Sequence, residues 1–370
     1  MGCATAYYLA RAGADVIVIE RSEINREASG TNAGNIHLQF QRLLEDTPEQ
    51  LARSKSLVSL SKAAAGLWHT LERDLDTDLG VRIRGGLVLA ETPQQVEVLQ
   101  RKAALERAAG LDATVISGNE LRHLAPELSE HLLAADYLAD EGFANPLLVT
   151  PAFARGAATG GARFFINSTV TGIERRPGTG FLVTTSMGGF EAKRIVDAAG
   201  AWAGDIAGMI GAKLPIDGSV LTVNVTEPAP FSLKLLVQHI GRKLTMKQTQ
   251  YGTFIIGGGW SGDWVPEISL KRTRLDSSSG NLFNAAHVMP ALRQLKLLRT
   301  WGGMTATTPG YAPIVGEIPG VKGFFILVSG SGMTLGPLLG RLMAELLTTG
   351  QPSLPLDRFH PALMGAGAGH

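Results

Sequence analysis

The hydrophobic pattern of the first twenty residues predicts a helix followed by a buried strand. Gly2 and Ala6 are four positions apart, which places both on the helix face that presses against a neighbouring strand. The helix is expected to end near Arg11, with Gly13 supplying a left-handed cap. Residues 16–19, Val-Ile-Val-Ile, form a continuous apolar run, as expected of a strand buried on both faces of a parallel sheet. The chain therefore opens as an α/β domain.

Beyond residue 80 the pattern alternates short apolar runs with segments of helical periodicity. The predicted elements are a strand at 86–90, a helix at 92–109, a helix at 147–160, strands at 162–170, 181–185 and 190–196, strands at 221–225 and 253–256, and a helix near 280–295. The strands between 162 and 196 are separated by glycine-rich turns, which predicts an antiparallel meander. The stretch from about 215 to 298 is mostly β-structure.

The acid that ends the first strand indicates a nucleotide site. Glu20 is placed to accept hydrogen bonds from a ribose hydroxyl. Gly2 would then be the last glycine of a G-x-G-x-x-G fingerprint, whose first strand and first two glycines are missing from the sequence. We therefore expect the chain to be truncated within its first motif, or to need a partner that fills the gap. The alternative is an ordinary helix–strand pair that opens an α/β domain.

The segment after this acid is built of small and polar residues. Residues 26–34 are Arg-Glu-Ala-Ser-Gly-Thr-Asn-Ala-Gly, a composition that lets backbone approach a ligand and offers donors to phosphate and ring oxygens. Its S-G-x-N-A-G stretch resembles the D-amino-acid oxidase-like family of FAD enzymes. That family includes glycine oxidase, D-amino-acid dehydrogenases, sarcosine oxidase β subunits and opine oxidase B subunits. The resemblance covers nearly the whole chain.

Three later blocks extend the resemblance. Residues 196–202 read V-D-A-A-G-A-W, and their Ala-Ala-Gly brings bare backbone close to a cofactor. Residues 301–316 resemble the W-G-G form of sarcosine oxidase β subunits. Glycine oxidase relatives carry a carboxylate-binding arginine where this chain has Thr305, so a simple α-amino acid held in that manner is not expected. Residues 330–334 begin a helix whose N–H groups, in this family, point at the flavin.

The resemblance implies a set of FAD contacts and a smaller set of substrate candidates. The FAD contacts are Gly2, Glu20, Arg21, Ser29, Gly30, Asn32, Gly34, Val170, Ala199, Gly200, Trp202, Gly330, Gly332, Met333 and Thr334. The substrate candidates are His37, His239, Tyr251 and Thr305, with Trp260 as a further wall residue; each also has an ordinary core or surface explanation. No catalytic side chain is assigned. FAD is expected to be non-covalent, because Gly303 stands near the place where monomeric sarcosine oxidases carry a cysteine.

Composition and charge exclude several classes of partner. The chain has 34 Lys and Arg against 33 Asp and Glu, which leaves no charge excess for nucleic acid or an anionic membrane. No apolar run reaches the roughly 18 residues of a membrane span. The single Cys3 excludes intrachain disulfides and thiolate metal clusters. We predict a cytoplasmic protein with no metal site.

These features predict a two-domain α/β flavoprotein. A Rossmann-like FAD-binding domain is assembled from residues 1–75, 147–212 and 299–370, and an interleaved mixed α+β substrate-binding domain from 76–146 and 213–298. The resemblance implies oxidation of the C–N bond of an amino acid or N-substituted amino acid, with hydride transfer to flavin N5 and hydrolysis of the imine. Electrons would pass to oxygen, a quinone or a partner subunit.

Two alternatives belong to other classes of protein. The first is a non-catalytic or flavin-deficient subunit of a heteromeric amine or opine oxidase. The second is a nicotinamide-dependent dehydrogenase, which would share residues 2–20 but not the later blocks. The identity of the amine and the electron acceptor stays open.

Overall fold

A computed structural model describes residues 1–40, 48–176, 178, 180–230, 233–364 and 367–368. Its helices are α1 (Gly2–Arg11), α2 (Ala28–Thr31), α3 (Pro48–Trp68), α4 (Leu71–Asp74), α5 (Pro93–Ala108), α6 (Gly118–Leu124), α7 (Pro146–Thr159), α8 (Ala203–Gly208), α9 (Leu275–Val288) and α10 (Gly332–Thr349). Within these described residues, none of the helices combines the length and the apolar character needed to cross a membrane.

The strands of the described residues follow in chain order. They are β1 (Ile17–Ile19), β2 (Asn35–Ile36), β3 (Arg82–Ile83), β4 (Gly86–Ala90), β5 (Thr114–Ser117), β6 (Ala134–Leu138), β7 (Gly142–Phe143), β8 (Arg163–Phe165), β9 (Val170–Arg176), β10 (Gly180–Thr185), β11 (Gly188–Ala192), β12 (Ile195–Asp197), β13 (Ala212–Lys213), β14 (Asp217–Pro228), β15 (Leu236–His239), β16 (Thr245–Gln248), β17 (Thr253–Gly257), β18 (Asp263–Val265), β19 (Leu270–Arg272), β20 (Leu297–Thr307), β21 (Ile314–Glu317), β22 (Phe324–Val328) and β23 (Gly367–Ala368).

The predicted opening of the chain is confirmed, with one correction. Helix α1 ends at Arg11 and Gly13 has a positive φ of 78°. Strand β1 pairs in parallel with β8. The strand is half-buried rather than buried on both faces, because Ile17 and Ile19 border an open cavity. Strands β12 and β22 form a separate parallel pair, with β21 antiparallel at its edge.

Close packing of α1 depends on a glycine that was not predicted. A Cβ added at Gly2 would lie 3.4 Å from the Ala198 Cβ, an ordinary contact. A Cβ at Gly340 of α10 would lie only 2.6 Å from the Ala4 Cβ. The close approach of α1 to α10 therefore requires Gly340, whereas Gly2 itself is not required by sterics.

The second part of the fold is one eight-stranded sheet with the order β20-β14-β17-β16-β15-β4-β6-β5. Neighbouring strands are antiparallel except β15 and β4. Long strands β14 and β20 pair from Asp217 opposite Thr307 to Thr226 opposite Leu297. The predicted domain boundary at residue 299 falls inside β20, and the division into domains stays a prediction.

Three predicted elements differ from the observed ones. The strand predicted at 162–170 is β8, which ends at Phe165 and pairs in parallel with β1, so that β9 takes its place in the meander. The helix predicted near 280–295 is α9, which ends at Val288, and a 3-10 helix over Pro290–Gln294 follows it. Pro290 has no backbone N–H, so it cannot continue an α-helical ladder. The run predicted as one strand at 190–196 is divided between β11 and β12, because the chain passes from the meander of β9, β10 and β11 to a different sheet.

A buried charge cluster joins the two parts of the molecule. Lys102 of α5 donates hydrogen bonds to Gln39 Oε1 at 2.8 Å, Glu106 Oε1 at 2.7 Å and Asp136 Oδ2 at 2.9 Å. Glu141 accepts from the Gln39 backbone N–H at 2.8 Å and from its side-chain Nε2 at 3.1 Å. All five side chains are buried. The cluster ties the segment after β2 to the eight-stranded sheet.

Candidate functional site

One large cavity lies between the β1 and β12 sheets and extends to the eight-stranded sheet. Its volume is about 2270 Å³, well above the roughly 300–1,000 Å³ of common small-molecule sites. The predicted residues that line it are Gly2, Glu20, Arg21, Ser29, Asn32, Gly34, His37, Val170, Ala199, Gly200, Trp202, His239, Thr305, Gly330, Gly332, Met333 and Thr334. Gly30, Tyr251 and Trp260 are not part of the lining. Motifs far apart in sequence therefore share one cavity.

The end of β1 forms a polar corner of this cavity. Glu20 Oε1 accepts hydrogen bonds from the Ser22 backbone N–H at 2.9 Å and from its hydroxyl at 3.2 Å. The Arg21 guanidinium lies over the Trp202 ring, 3.7 Å from its centroid. This cation–π contact links the β1 corner to the Ala-Ala-Gly block.

The glycines of the 26–34 segment serve backbone geometry. Gly34 has a φ of +79°, and a Cβ there would overlap the Ala144 carbonyl oxygen. A Cβ at Gly30 would overlap the carbonyl oxygen of Asn25. Gly30 therefore supports the turn against Asn25 and is not part of the cavity lining, so its predicted contact with FAD stays a prediction.

Two hydrogen bonds hold the C-terminal half of the same segment. Asn32 Oδ1 accepts from the Gly34 N–H at 2.7 Å, which closes a turn. Trp301 Nε1 of β20 donates to the Thr31 carbonyl at 2.8 Å. A Cβ at Gly303 would lie 2.6 Å from the Thr31 hydroxyl. The W-G-G block thus supports the 26–34 segment by the hydrogen bond from Trp301. The absence of a side chain at Gly303 lets this segment lie close to β20.

The start of α10 presents backbone donors to the cavity. Ser331 at the N-cap makes no side-chain capping hydrogen bond, so the first N–H groups of the helix remain available to an anionic or polar ligand. The Thr334 hydroxyl accepts from the His37 backbone N–H at 3.0 Å, and the Thr334 carbonyl accepts from Trp68 Nε1 at 3.0 Å. The helix start is therefore anchored to the segment that carries His37.

His37 is a neutral group inside the site. Burial, together with the nearby Lys247 charge, lowers the pKa of His37 to about 3. Its Nδ1 is buried and has no hydrogen-bond partner among the described residues. A neutral imidazole with an unsatisfied buried nitrogen is suited to face a polar bound molecule.

Sequence reasoning missed Lys247, which supports the site from β16. Its side chain is buried and donates hydrogen bonds to the Ala33 carbonyl and to Asn35 Oδ1. Burial lowers the pKa of Lys247 to about 7. Thr245 of the same strand lines the cavity, as do Ala33 and Asn35, which accept the Lys247 hydrogen bonds. The sequence offered one signal for Lys247: residues two positions apart on a strand point to the same side, which puts Lys247 and Thr245 on one face of β16.

The remaining substrate candidates occupy different positions. Thr305 of β20 lies opposite Ser219 of β14, and both line the cavity. His239 lines the cavity from the end of β15 and is buried. Tyr251 is 69% exposed in the turn between β16 and β17 and does not line the cavity. Trp260 donates from Nε1 to the Lys243 carbonyl at 2.8 Å.

These features fit flavin adenine dinucleotide (FAD). The cavity has an acid at the end of β1, an uncapped helix start at α10 and the unsatisfied His37 Nδ1. Bare backbone at Ala199 and Gly200 borders the same space. A molecule with ribose, phosphate and ring atoms finds a complementary group for each of these parts.

Comparisons with known proteins agree with this fit. The sequence profile of the DAO family, described as "FAD dependent oxidoreductase", matches residues 1–346. Mouse (Mus musculus) sarcosine dehydrogenase is 26% identical over 390 residues, covering 98% of this chain and 41% of that protein. The chain thus spans less than half the length of this relative.

Two further relatives match along most of their length. Glycine oxidase of Geobacillus kaustophilus is 26% identical over 369 residues, covering 97% of this chain and 93% of that protein. Sarcosine oxidase subunit beta of Rhodobacter capsulatus is 25% identical over 373 residues, covering 96% and 84%. The crystal structure of the Geobacillus glycine oxidase superposes with a TM-score of 0.87 at 24% identity, covering 97% of this chain and 95% of that chain. The predicted fold class is confirmed.

Proposed function

The chain belongs to the DAO family of FAD-dependent oxidoreductases, and from this premise we propose that it oxidises the C–N bond of a secondary or otherwise N-substituted amino acid. The observation that carries the substrate class is Thr305, which faces the cavity where an arginine would pair a simple amino-acid carboxylate. The named substrates of two relatives, sarcosine dehydrogenase and sarcosine oxidase subunit beta, support the same class. Neither a flavin-deficient subunit nor a nicotinamide enzyme is favoured.

The residues that would hold FAD come from separate motifs. Glu20 would accept from the ribose, the helix starts of α1 and α10 would offer N–H groups, and the backbone at Ala199 and Gly200 would lie against the cofactor. When bound, FAD supplies the two-electron acceptor for hydride from the carbon next to the amine nitrogen.

The chain's own side chains would act by positioning the substrate. His37, being neutral at physiological pH, places no positive charge beside the amine, which must itself be neutral to release hydride. Arg242 and Lys243 both line the cavity, but Arg242 is paired with Glu91 at 2.7 Å. Lys243, between β15 and β16, is therefore our candidate to pair with a substrate carboxylate, and its amine lies 5.7 Å from the centroid of the Trp260 ring.

The cofactor assignment is tested by Glu20→Ala. Loss of a charge-assisted ribose hydrogen bond, worth about 1.5–3 kcal/mol, should weaken FAD binding by roughly tenfold or more. Fluorescence titration of the flavin-free protein with FAD measures this affinity. Glu23→Ala, at an exposed neighbouring acid, should bind FAD as the unaltered protein does. Equal affinity of Glu20→Ala would remove Glu20 from the site.

The substrate class is tested with a panel of amino acids and a dye acceptor. We expect sarcosine, proline and larger N-substituted amino acids to give kcat/KM values at least about tenfold above those of glycine and D-alanine, a difference of about 1.4 kcal/mol. Anaerobic bleaching of the flavin by each compound separates substrate oxidation from the choice of acceptor. Rapid turnover of D-alanine would show that another residue binds the carboxylate and would overturn the N-substituted class.

We further propose that the chain works with a partner subunit. The match to a protein named subunit beta supports it, and the partner would receive electrons or deliver substrate. Dye-linked turnover by the purified chain that is not increased by any added protein fraction would leave this part without support. A cytoplasmic location stays a prediction, based on the single Cys3.

A further inference from the structure

A carboxylate and two imidazoles converge at one end of the eight-stranded sheet, outside the set of residues assigned to FAD. Glu91 directly follows β4, His131 lies in the turn before β6, and His287 lies in the last turn of α9. One ligand atom from each lies within 4.8 Å of the others. No sequence spacing indicated this cluster, because its members come from three distant elements.

The distances fit a small divalent ion after modest side-chain movement. Glu91 Oε2 lies 2.6 Å from His287 Nε2 and 3.3 Å from His131 Nε2. A tetrahedral zinc ion with bonds of about 2.0–2.1 Å holds its ligand atoms about 3.3 Å apart. The imidazole rings lie with centroids 4.4 Å apart and a tilt of 49°, so both nitrogens can turn toward one point.

Hydrogen bonds around the cluster orient its ligand atoms, of which His287 Nε2 and Glu91 Oε2 are also bonded to each other. His131 Nδ1 lies 2.7 Å from the Ser129 hydroxyl, and donation to that oxygen leaves the Nε2 lone pair for a metal. Arg242 holds the opposite carboxylate oxygen, Glu91 Oε1, at 2.7 Å. Oε2 is thereby turned toward the two imidazoles.

A separate observation concerns His239, the third imidazole beside this carboxylate. Its side chain is fully buried, and Nε2 faces Glu91 Oε1 at 3.9 Å with no hydrogen-bond partner among the described residues. The Gly241 N–H donates to His239 Nδ1 at 3.0 Å, so the proton of the neutral ring is on Nε2. His239 thus directs an N–H toward the carboxylate at a distance too long for a hydrogen bond.

We propose that Glu91, His131 and His287 form a binding site for a divalent transition-metal ion of the zinc class. His287 Nε2 and Glu91 Oε2 share a hydrogen bond of 2.6 Å, and a divalent ion would take the place of the shared proton with His131 Nε2 as its third ligand atom. Two imidazoles and one carboxylate suit Zn²⁺ and its neighbours rather than Mg²⁺ or Ca²⁺. His131 is 40% exposed, so water completes the coordination. The ion ties α9 to the end of β4.

Metal titration of the flavin-loaded, tag-free protein tests the site. After dialysis against a chelator, we expect calorimetry with ZnCl2 to show one equivalent bound, with a rise in Tm of several degrees. His131→Ala and His287→Gln should each weaken binding at least about tenfold. His123→Ala removes an exposed imidazole of α6 and should leave binding unchanged. MgCl2 should have no effect.

A spectroscopic measurement separates ligation from indirect structural effects. Electron paramagnetic resonance of bound Cu²⁺, which prefers the same ligands more strongly, should show two nitrogen ligands in the unaltered protein and one in His131→Ala. Absence of Zn²⁺ and Cu²⁺ binding, or binding undiminished in His131→Ala, would overturn the site and leave a carboxylate–imidazole hydrogen-bond cluster. None of these readouts depends on the proposed oxidation reaction.

Discussion

Lys102→Met is expected to destabilise the protein by about 3–5 kcal/mol, the cost typical of removing one partner from a buried ion pair. The Lys102 side chain is 1% exposed and its amine contacts three oxygen atoms. Methionine fills a similar volume but leaves the buried Asp136 carboxylate and the Glu106 carboxyl group without the amine that donates to both. Urea unfolding should show the loss as a lower midpoint, whereas Lys322→Met, at an exposed lysine, should change it little.

The pH dependence of stability identifies the same cluster. Burial raises the pKa of Glu106 from 4.5 to about 8, against the opposing effect of Lys102. The folded state therefore binds more protons than the unfolded state between these values, so this group's contribution to stability falls as pH rises from about 4.5 to about 8. Glu106→Gln should flatten that part of the profile. A loss below about 1 kcal/mol in Lys102→Met would contradict the ionic description of the cluster.

Lys247→Met is expected to lower kcat/KM by about a hundredfold, because displacement of a site by about 1 Å has effects of this size. The substitution leaves the buried Ala33 carbonyl and the Asn35 side chain without their donor. The segment over residues 33–37, which lines the cavity, then loses its support. Dye-linked kinetics measure the effect, and Lys234→Met, at an exposed lysine before β15, serves as the control.

The pH profile of stability gives an independent readout for Lys247. Burial lowers the pKa of Lys247 from 10.5 to about 7. The unfolded state therefore binds more protons between these values, and this group's contribution to stability rises as pH increases from about 7 to about 10.5. That rise should be absent in Lys247→Met. Unchanged kinetics together with an unchanged pH profile would show that Lys247 has no positioning role.

Local signals were sufficient for the elements that border the cofactor site. The end of α1, the cap at Gly13 and the acid after β1 all follow from neighbouring residues. Backbone geometry at these places depends on sterics within a few residues, which periodicity and glycine placement report. The predicted FAD contacts other than Gly30 line the cavity, whereas the substrate candidates Tyr251 and Trp260 do not; contact of these residues with FAD or substrate stays a prediction.

Contacts between distant segments determined the rest. Gly30 faces Asn25 instead of the cavity, and Gly340 rather than Gly2 lets α1 approach α10. Lys247 reaches Ala33 across more than two hundred residues of sequence, and the Lys102 cluster joins α5 to the segment after β2. A single sequence records which side chains are polar but not which distant backbone they meet. The sequence by itself therefore determined the family and the cofactor. Only the tertiary structure decided which buried charges support the cavity, because burial and pairing of charges arise from long-range packing.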